Sequence, residues 1–325
     1  MLWAGCLPIV GEVMINLKLT RSRYITLPDE RPKNWVSHMM APAPSPRIEN
    51  GRTEVFVGGW DENGISSIFS FEFDLENLEL IPASIKLQLE KGSPGTFDEN
   101  GVFPASVIDF EDSWGLSYTG FQLGYEVPHY NFGGFAIRSG SNSRLKRVSE
   151  APIIDREDEG LTVRAGLSAI KLDLDDNREW VSVYAAGSTF EFINGKLRPN
   201  YSVYGQFTHP FGIREKGDLK VKYSELEHGV GRPYLTSYKD LLLLFYTRRR
   251  RDFGYLPGVA ISNDLGKTYK RFDEILEDVT PRIHGLDNEM QYFPAPLIWN
   301  TKLYVFYNGN NFGQNGMGVW EFQLN

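Results

Sequence analysis

The sequence is short of the residues that build metal and cofactor sites. It has one cysteine, Cys6, and five scattered histidines, so no internal disulfide can form and no Cys/His cluster has zinc-site spacing. No glycine-rich loop opens a helix for a nucleotide, and no serine stands in a nucleophile elbow. We therefore expect neither a metal nor another cofactor. The lone cysteine fits a reducing compartment, and we expect a cytoplasmic location.

A net positive charge, amphipathic helices and long apolar runs are also missing. The net charge of −8 and the pI near 5.3 argue against broad nucleic-acid binding. Residues 1–16 are apolar, but they lack a basic start and are interrupted by Pro8, Gly11 and Glu12. This segment fits neither a signal peptide nor a membrane span.

What the chain does contain is short apolar runs separated by Asn and Gly, a pattern typical of antiparallel strands. Residues 294–299, 303–307 and 317–322 form one such three-strand unit near the end of the chain. In antiparallel neighbours, the start of one strand and the end of the next lie at the same sheet edge. One rim should therefore gather two carboxylates, two amides and a phenol, from Asp287, Glu289, Tyr307, Asn308 and Asn310.

The same unit repeats along the chain. The second strands end at positions 57, 118, 184, 246 and 307, so the spacing is 61 to 66 residues. Five sheets of three or four strands at a steady spacing predict an all-β, five-bladed β-propeller in a single domain. We assign residues 35–325 to the propeller and expect residues 1–34 to be an N-terminal segment that closes the last blade.

Candidate site residues come from the edge where the first strands begin. Asp98 precedes Pro104 by six residues, and Asp287 and Glu289 precede Pro294 by seven and five, so the two loops present carboxylates at equivalent places. Asp98 is either a pocket residue or a turn residue that caps its glycine-containing loop.

Two further candidates, His38 and Trp60, lie at this edge in the first blade. His38 either lines a pocket or has a structural role. An aromatic ring such as Trp60 either stacks on the apolar face of a sugar or packs between blades.

Three segments together resemble a known family: GTFDENGVFPASV (95–107), residues 255–271 with SNDLGKTYKR, and DNEMQYFPAPLIWNTKLYVFYNGNNFGQNGMG (287–318). They are similar to five-bladed propeller proteins related to glycoside hydrolase families 43, 32 and 130. The nearest match is a branch often encoded with polysaccharide-biosynthesis genes. The resemblance implies glycan substrates held in a funnel at one end of the central channel, and a structural role for the Asp264 turn.

The chain departs from the family pattern at the expected acids. Families 43 and 32 carry three carboxylates on inner strands, whereas here only Asp98 lies close to such a position. Arginines stand at comparable places instead: Arg164, Arg232 and Arg248. Guanidinium groups pair with carboxylate or phosphate, which predicts an anionic ligand.

Two functions follow from this pattern. The first is glycosidase-like cleavage or transfer on a charged or phosphorylated glycan, with Asp98 and Glu289 as acid and base and Asp287 as modulator. The alternative is a non-catalytic glycan-binding propeller that has lost the usual acids. In both, the partner is a phosphorylated, nucleotide-linked or acidic sugar, and the predicted ligand contacts are His38, Trp60, Arg164, Arg232, Arg248, Tyr307, Asn308 and Asn310.

Overall fold

The fold is built almost entirely from antiparallel strands. The computed structural model describes residues 5–6, 16–138, 140, 143–174 and 177–324. These residues form five successive meanders, in which each strand is hydrogen-bonded to the next along the chain. The all-β propeller predicted from the repeat is confirmed.

Each meander, or blade, begins with an inner strand that is followed by a second and a third strand. The inner strands of blades one to five are Ser37–Glu49, Val102–Asp109, Val163–Leu174, Glu227–Tyr238 and Tyr292–Trp299. The second strands are Arg52–Trp60, Trp114–Leu123, Asn177–Ile193, Leu241–Arg250 and Lys302–Asn308. The third strands are Ser66–Asp74, His129–Arg138, Lys196–Gln206, Tyr255–Ser262 and Gly316–Leu324.

Short outer strands complete the blades. In blades one to four they are Glu79–Leu80 with Lys86–Leu89, Leu145–Arg147, Asp218–Val221 and Lys270–Arg271. In blade five the outer strand is Asn16–Thr26, which pairs antiparallel with Gly316–Leu324 and also with Gly5–Cys6. Strands from both ends of the sequence therefore share one sheet. The rest of residues 1–15 lies outside the described residues, and the division into 1–34 and 35–325 stays a prediction.

The blades form a closed ring. The inner strand of each blade contacts the inner strands of both neighbouring blades, including that of blade five against that of blade one. Blades two and three are also joined by a short parallel pairing of Asn131 and Phe132 with Val163 and Arg164. Closure leaves the five inner strands around one axis.

Helical structure is confined to connections. One α-helix spans Glu274–Val279, and 3₁₀ turns span Pro82–Ser84 and Pro210–Gly212. A further turn at Asn310–Gly313 contains two residues with left-handed backbone, Asn311 and Phe312. No helix in the described ranges is long and apolar enough to cross a membrane.

The core lies between the blades. One buried cluster joins blades one, two and five, and others fill the spaces between blades four and five, three and four, and two and three. Both faces of each sheet are covered, which explains why the strands are continuous apolar runs such as Leu241–Phe245.

Candidate functional site

Every inner strand carries a β-bulge near its beginning. The register shifts fall at Met40/Ala43, Pro104/Ser106, Ala165/Ser168, Gly231/Tyr234 and Tyr292/Ala295. Four of these bulges hold a residue at positive φ: Ala41 (53°), Gly166 (72°), Arg232 (47°) and Phe293 (58°). Bulges re-aim side chains and strained backbone concentrates at functional sites. We call this end of the channel, where inner strands begin, the axial mouth.

The axial mouth is lined with aromatic rings. One cluster joins Met40, Ala41, Tyr255, Tyr292 and Phe293 with the partly buried Trp60, Phe103, Met290 and Phe312. Trp60 stacks on His38 with ring centroids 3.8 Å apart, and Phe103 stacks on Phe293 at 6.0 Å. Blade three adds Tyr201, so all five blades contribute an aromatic ring.

Arg232 fills the axis just inside the mouth. Its guanidinium donates to the carbonyls of Phe293 (2.9 Å), Ala41 (3.0 Å) and Pro42 (2.6 Å), which belong to the bulges of blades five and one. It has no carboxylate partner among the described residues, and its Nε has no hydrogen-bond partner there either. Burial lowers the pKa of Arg232 to about 10. Arg232 therefore ties three blades together and leaves an unbalanced positive charge on the axis.

A second buried arginine, Arg249, lies on the wall of the mouth between blades three and four. Its guanidinium lies 4.7 Å from the ring of Tyr201 and 5.3 Å from that of Tyr255, and it donates to the carbonyl of Pro199 at 2.7 Å. Gly231 allows this arrangement, because a Cβ there would lie 2.3 Å from the Tyr201 ring. Next to it, burial and then the charge of Arg249 lower the pKa of His228 to about 3.

The predicted catalytic residues Asp98 and Asp287 belong to a device that repeats in three blades. A tyrosine of the second strand donates to a carboxylate that lies four or five residues before the inner strand. These strands continue beyond the predicted ends at positions 118, 184 and 307, to Leu123, Ile193 and Asn308. The three pairs are Tyr118–Asp98 (3.2 Å), Tyr184–Glu159 (2.8 Å) and Tyr307–Asp287 (2.7 Å). Both aspartates are fully buried. The repetition favours a structural role, in which each bond anchors the loop that enters a blade.

Further hydrogen bonds occupy both aspartates. Asp98 also accepts from Arg147 Nε and Thr96 Oγ1, each at 2.8 Å. Asp287 accepts from the backbone N–H of Ile283. A catalytic role for either carboxyl stays a prediction, and it would require these contacts to break.

Glu289, the third predicted catalytic residue, is placed differently. Its side chain is exposed, and within the described ranges its carboxylate makes no hydrogen bond or ion pair. Its backbone N–H donates to Asn310 Oδ1 at 2.9 Å, so Asn310 positions the segment that carries Glu289. Asn308, in turn, accepts from the N–H of Ala41 at 3.0 Å and holds the blade-one bulge.

Two of the predicted ligand-binding arginines are ion-paired with carboxylates of their own blade. Arg164 pairs with Glu159 at 3.0 Å and both side chains are 1% exposed. Arg248 pairs with Glu227 at 2.8 Å and with Asp273 at 3.4 Å. Of the predicted set, the structure brings His38 and Trp60 together at the mouth, while Arg164, Arg248 and Asp98 lie in separate interior clusters.

A cavity of about 620 Å³ lies beside the mouth, over blade two. Its floor includes Phe97 and Phe132, and its rim includes Gln122, Glu150 and Arg156. The loop of Asp98 borders this cavity, but Asp98 itself does not line it.

Sequence reasoning missed Arg249, Tyr201, Tyr255, Tyr292 and His228. The four arginines at 248–251 look alike in sequence, and strand alternation alone shows only that Arg248 and Arg249 face opposite sides. Tyr201 and Tyr255 lie in third strands and Tyr292 begins the inner strand of blade five, but no sequence pattern indicates that their rings meet at the mouth.

Comparison with known proteins supports the fold. No protein-family model matches the chain. It is 25% identical over 288 residues to the uncharacterized protein Rv1502 of Mycobacterium tuberculosis, covering 87% of this chain and 92% of the relative.

Two solved structures illustrate the likeness of fold. One is a thermostable family-43 glycoside hydrolase (TM-score 0.58, 12% identity, 89% of each chain covered). Another is the alpha-L-arabinofuranosidase from Lactobacillus brevis (TM-score 0.60, 10% identity, 91% of this chain and 93% of that one). The resemblance to propeller glycoside hydrolases is thus confirmed at the level of fold, which does not by itself fix a function.

Proposed function

We propose that this protein binds a charged carbohydrate at the axial mouth and does not cleave it with a pair of carboxylates. One observation carries the proposal. From their first residue through the bulge, the five inner strands contain a single carboxylate, Glu227. Its oxygens accept from Arg248, Arg271 and the N–H of Ser224, and these bonds lower its pKa to about 2. Glycoside hydrolysis needs two carboxyl groups, one of them protonated, on either side of the bond.

The aromatic lining favours a sugar as the ligand. Sugar rings have apolar C–H faces that pack on aromatic rings, while their hydroxyls need a few convergent polar groups. Trp60 is partly exposed at the mouth, so its ring can pack on the apolar face of a sugar.

The buried arginines favour a negative charge on that sugar. Neither Arg232 nor Arg249 has a carboxylate partner within the described part of the chain. A buried cation without a counter-charge is costly, and a bound anion would offset that cost.

The test is equilibrium binding of a panel of neutral, acidic, phosphorylated and nucleotide-linked sugars by isothermal titration calorimetry. Trp60→Ala should weaken binding at least tenfold, whereas Trp299→Ala, at the opposite end of an inner strand, should leave it unchanged. Equal effects of both substitutions, or no binding of any sugar, would refute the proposal.

Glu289 supports a second candidate function, phosphate-dependent transfer. It is the predicted catalytic carboxylate that is exposed and unpaired, and cleavage by phosphate would require one acid rather than two. Product formation from a bound sugar with added phosphate, abolished by Glu289→Gln without loss of binding, would establish this activity. Turnover that survives Glu289→Gln would exclude it.

A further inference from the structure

A second arginine, Arg198, lies on the third strand of blade three, which also carries Tyr201, whose ring lies 4.7 Å from the Arg249 guanidinium. It lies next to Pro199, whose carbonyl accepts from Arg249 at 2.7 Å. After burial, the charges of Arg249 and Arg198 are the next causes that lower the pKa of His129 to about 4 and of His228 to about 3. The wall thus combines two cations with two neutral imidazoles.

The carboxylate nearest to Arg198 in the sheet is already engaged. Glu191 lies directly opposite Arg198 in the blade-three hairpin. Its oxygens accept from Arg251 and, at 3.2 Å, from Asn200. Within the described part of the chain Arg198 has no ion-pair or hydrogen-bond partner for its guanidinium, although the side chain is half-buried.

An orphaned polar atom lies in the same wall. His228 is 1% exposed, and its Nδ1 has no hydrogen-bond partner among the described residues. Its ring centroid lies 6.2 Å from that of Tyr255, whose hydroxyl accepts from Arg249 at 3.4 Å. Buried polar atoms are nearly always paired, so an orphan beside unpaired cations indicates a missing ligand group.

We propose that Arg198, Arg249 and His228 form a subsite for a phosphate group, so that the ligand is a phosphate ester of a sugar. This inference rests on the proposed function and specifies the charged group that the mouth takes.

Charge and geometry favour phosphate over carboxylate. Two guanidinium groups without carboxylate partners present two positive charges, and a phosphate monoester carries about −1.5 to −2 at pH 7, whereas a sugar acid carries one negative charge. A planar carboxylate is matched by a single guanidinium fork. Donors from two different strands, Arg198 on one and Arg249 on the other, would suit the tetrahedral arrangement of phosphate oxygens.

The experiment compares wild type with Arg198→Gln, which removes a half-buried charge, and with the control Arg156→Gln. Arg156 is an exposed arginine that lies 4.7 Å from the Tyr130 ring, at the rim of the cavity over blade two and not beside Arg249. Binding of inorganic phosphate, glucose 1-phosphate, glucose 6-phosphate, glucuronate and glucose is measured by calorimetry at constant ionic strength. We expect Arg198→Gln to weaken all three phosphate probes at least tenfold and Arg156→Gln to change none.

The outcomes separate this inference from the proposed function. If glucuronate or glucose binds at the mouth but no phosphate probe binds more tightly, the subsite is refuted and the proposed function stands. If Arg198→Gln and Arg156→Gln weaken phosphate equally, binding is non-specific and the subsite is again refuted. If phosphate binds through Arg198 but no sugar phosphate binds more tightly than inorganic phosphate, the subsite stands and the carbohydrate proposal fails.

Discussion

Arg248 and Arg249 are consecutive residues of one strand, yet they meet opposite environments. Arg248 points between the strands of blade four, where Glu227 and Asp273 balance its charge. Arg249 points to the mouth, where it meets tyrosine rings and a carbonyl oxygen but no carboxylate among the described residues. Alternation of side chains along the strand separates them.

Arg248 and Arg249 show two different roles of a buried charge in this fold. Around Glu227 the charges of Arg248 and Arg271 are neutralised within the fold, and Asp273 adds a bond to the hydroxyl of Tyr246 at 2.6 Å. At the mouth the cations are held by neutral oxygens and rings, which position them without cancelling their charge. The first arrangement stabilises blade four, and the second leaves attraction for an anion.

Removing the counter-charge from the paired cluster should have the largest effect. Glu227→Gln removes the carboxylate that Arg248 and Arg271 share, and breaking a buried ion pair costs about 3–5 kcal/mol of unfolding free energy. Urea unfolding would measure the change, with the partly exposed Glu191→Gln as control at under about 1 kcal/mol. A loss for Glu227→Gln no greater than the control would mean that blade four does not depend on this cluster.

Replacing Arg232 should cause the second-largest loss of unfolding free energy. Arg232→Met keeps an aliphatic stem but leaves the carbonyls of Ala41, Pro42 and Phe293 without their donor. Burying unsatisfied carbonyls costs about 1–3 kcal/mol each, partly offset by removal of a buried charge, so we expect a loss of about 2–4 kcal/mol. A variant as stable as wild type would show that the bulges hold their positions without Arg232.

The sequence predicts the environment of some of these residues and not of others. The propeller follows from repeated apolar runs, because both faces of each blade are buried. The prediction that Arg232 contacts a ligand stays a prediction. Its contacts with the bulges could not be predicted, since they depend on a backbone with positive φ (47°) that no local sequence pattern indicates. The sequence alone does not distinguish a buried arginine that is ion-paired within the fold from an arginine that binds a ligand.

The carboxylates show the same limit. Asp98 and Asp287 were chosen because both precede an inner strand, and that position is indeed equivalent. The equivalence extends to Glu159, however, and to a tyrosine hydroxyl for each carboxylate. Aligning Tyr118, Tyr184 and Tyr307 with the preceding acids could have revealed a repeated structural bond. Glu289 lacks such a partner, and only the structure distinguishes it.

His228, in the wall of the mouth, should make the free energy of unfolding depend on pH. Burial lowers the pKa of His228 from 6.5 to about 3, so between pH 6.5 and 4.5 the unfolded chain takes up a proton that the folded chain does not. The unfolding free energy therefore falls with falling pH, by about 2 kcal/mol from this group across that window. His228→Gln should reduce the fall by that amount in urea titrations at each pH.

The pH window from 6.5 to 4.5 lies above the range in which the ion-paired cluster around Glu227 loses its stabilising charge. The pKa of Glu227 is lowered to about 2, so its stabilisation is lost only as the pH falls below the range of an ordinary glutamate. The histidines His38 and His129 are present in both proteins and cancel in the comparison. Identical pH profiles for wild type and His228→Gln would show that His228 is not held neutral by the fold.

The smallest change in stability should accompany a measurable change in binding. Arg251 pairs with Glu191 on a partly exposed surface, so Arg251→Gln should alter the unfolding free energy by under about 0.5 kcal/mol. The freed Glu191 then faces Arg198 directly across the hairpin, and such cross-strand pairs are worth up to about 1 kcal/mol. Phosphate affinity should fall about threefold, because Glu191 competes for the arginine.

A double variant turns this into a strict comparison. Arg251→Gln combined with Glu191→Gln removes the competitor as well as its partner, so phosphate affinity should return to the wild-type value or exceed it. Recovery would show that Arg198 is available to an anion because Arg251 occupies Glu191. If the double variant binds phosphate as weakly as Arg251→Gln alone, Arg251 itself contributes to binding, and the two uses of charge are not separate on this wall.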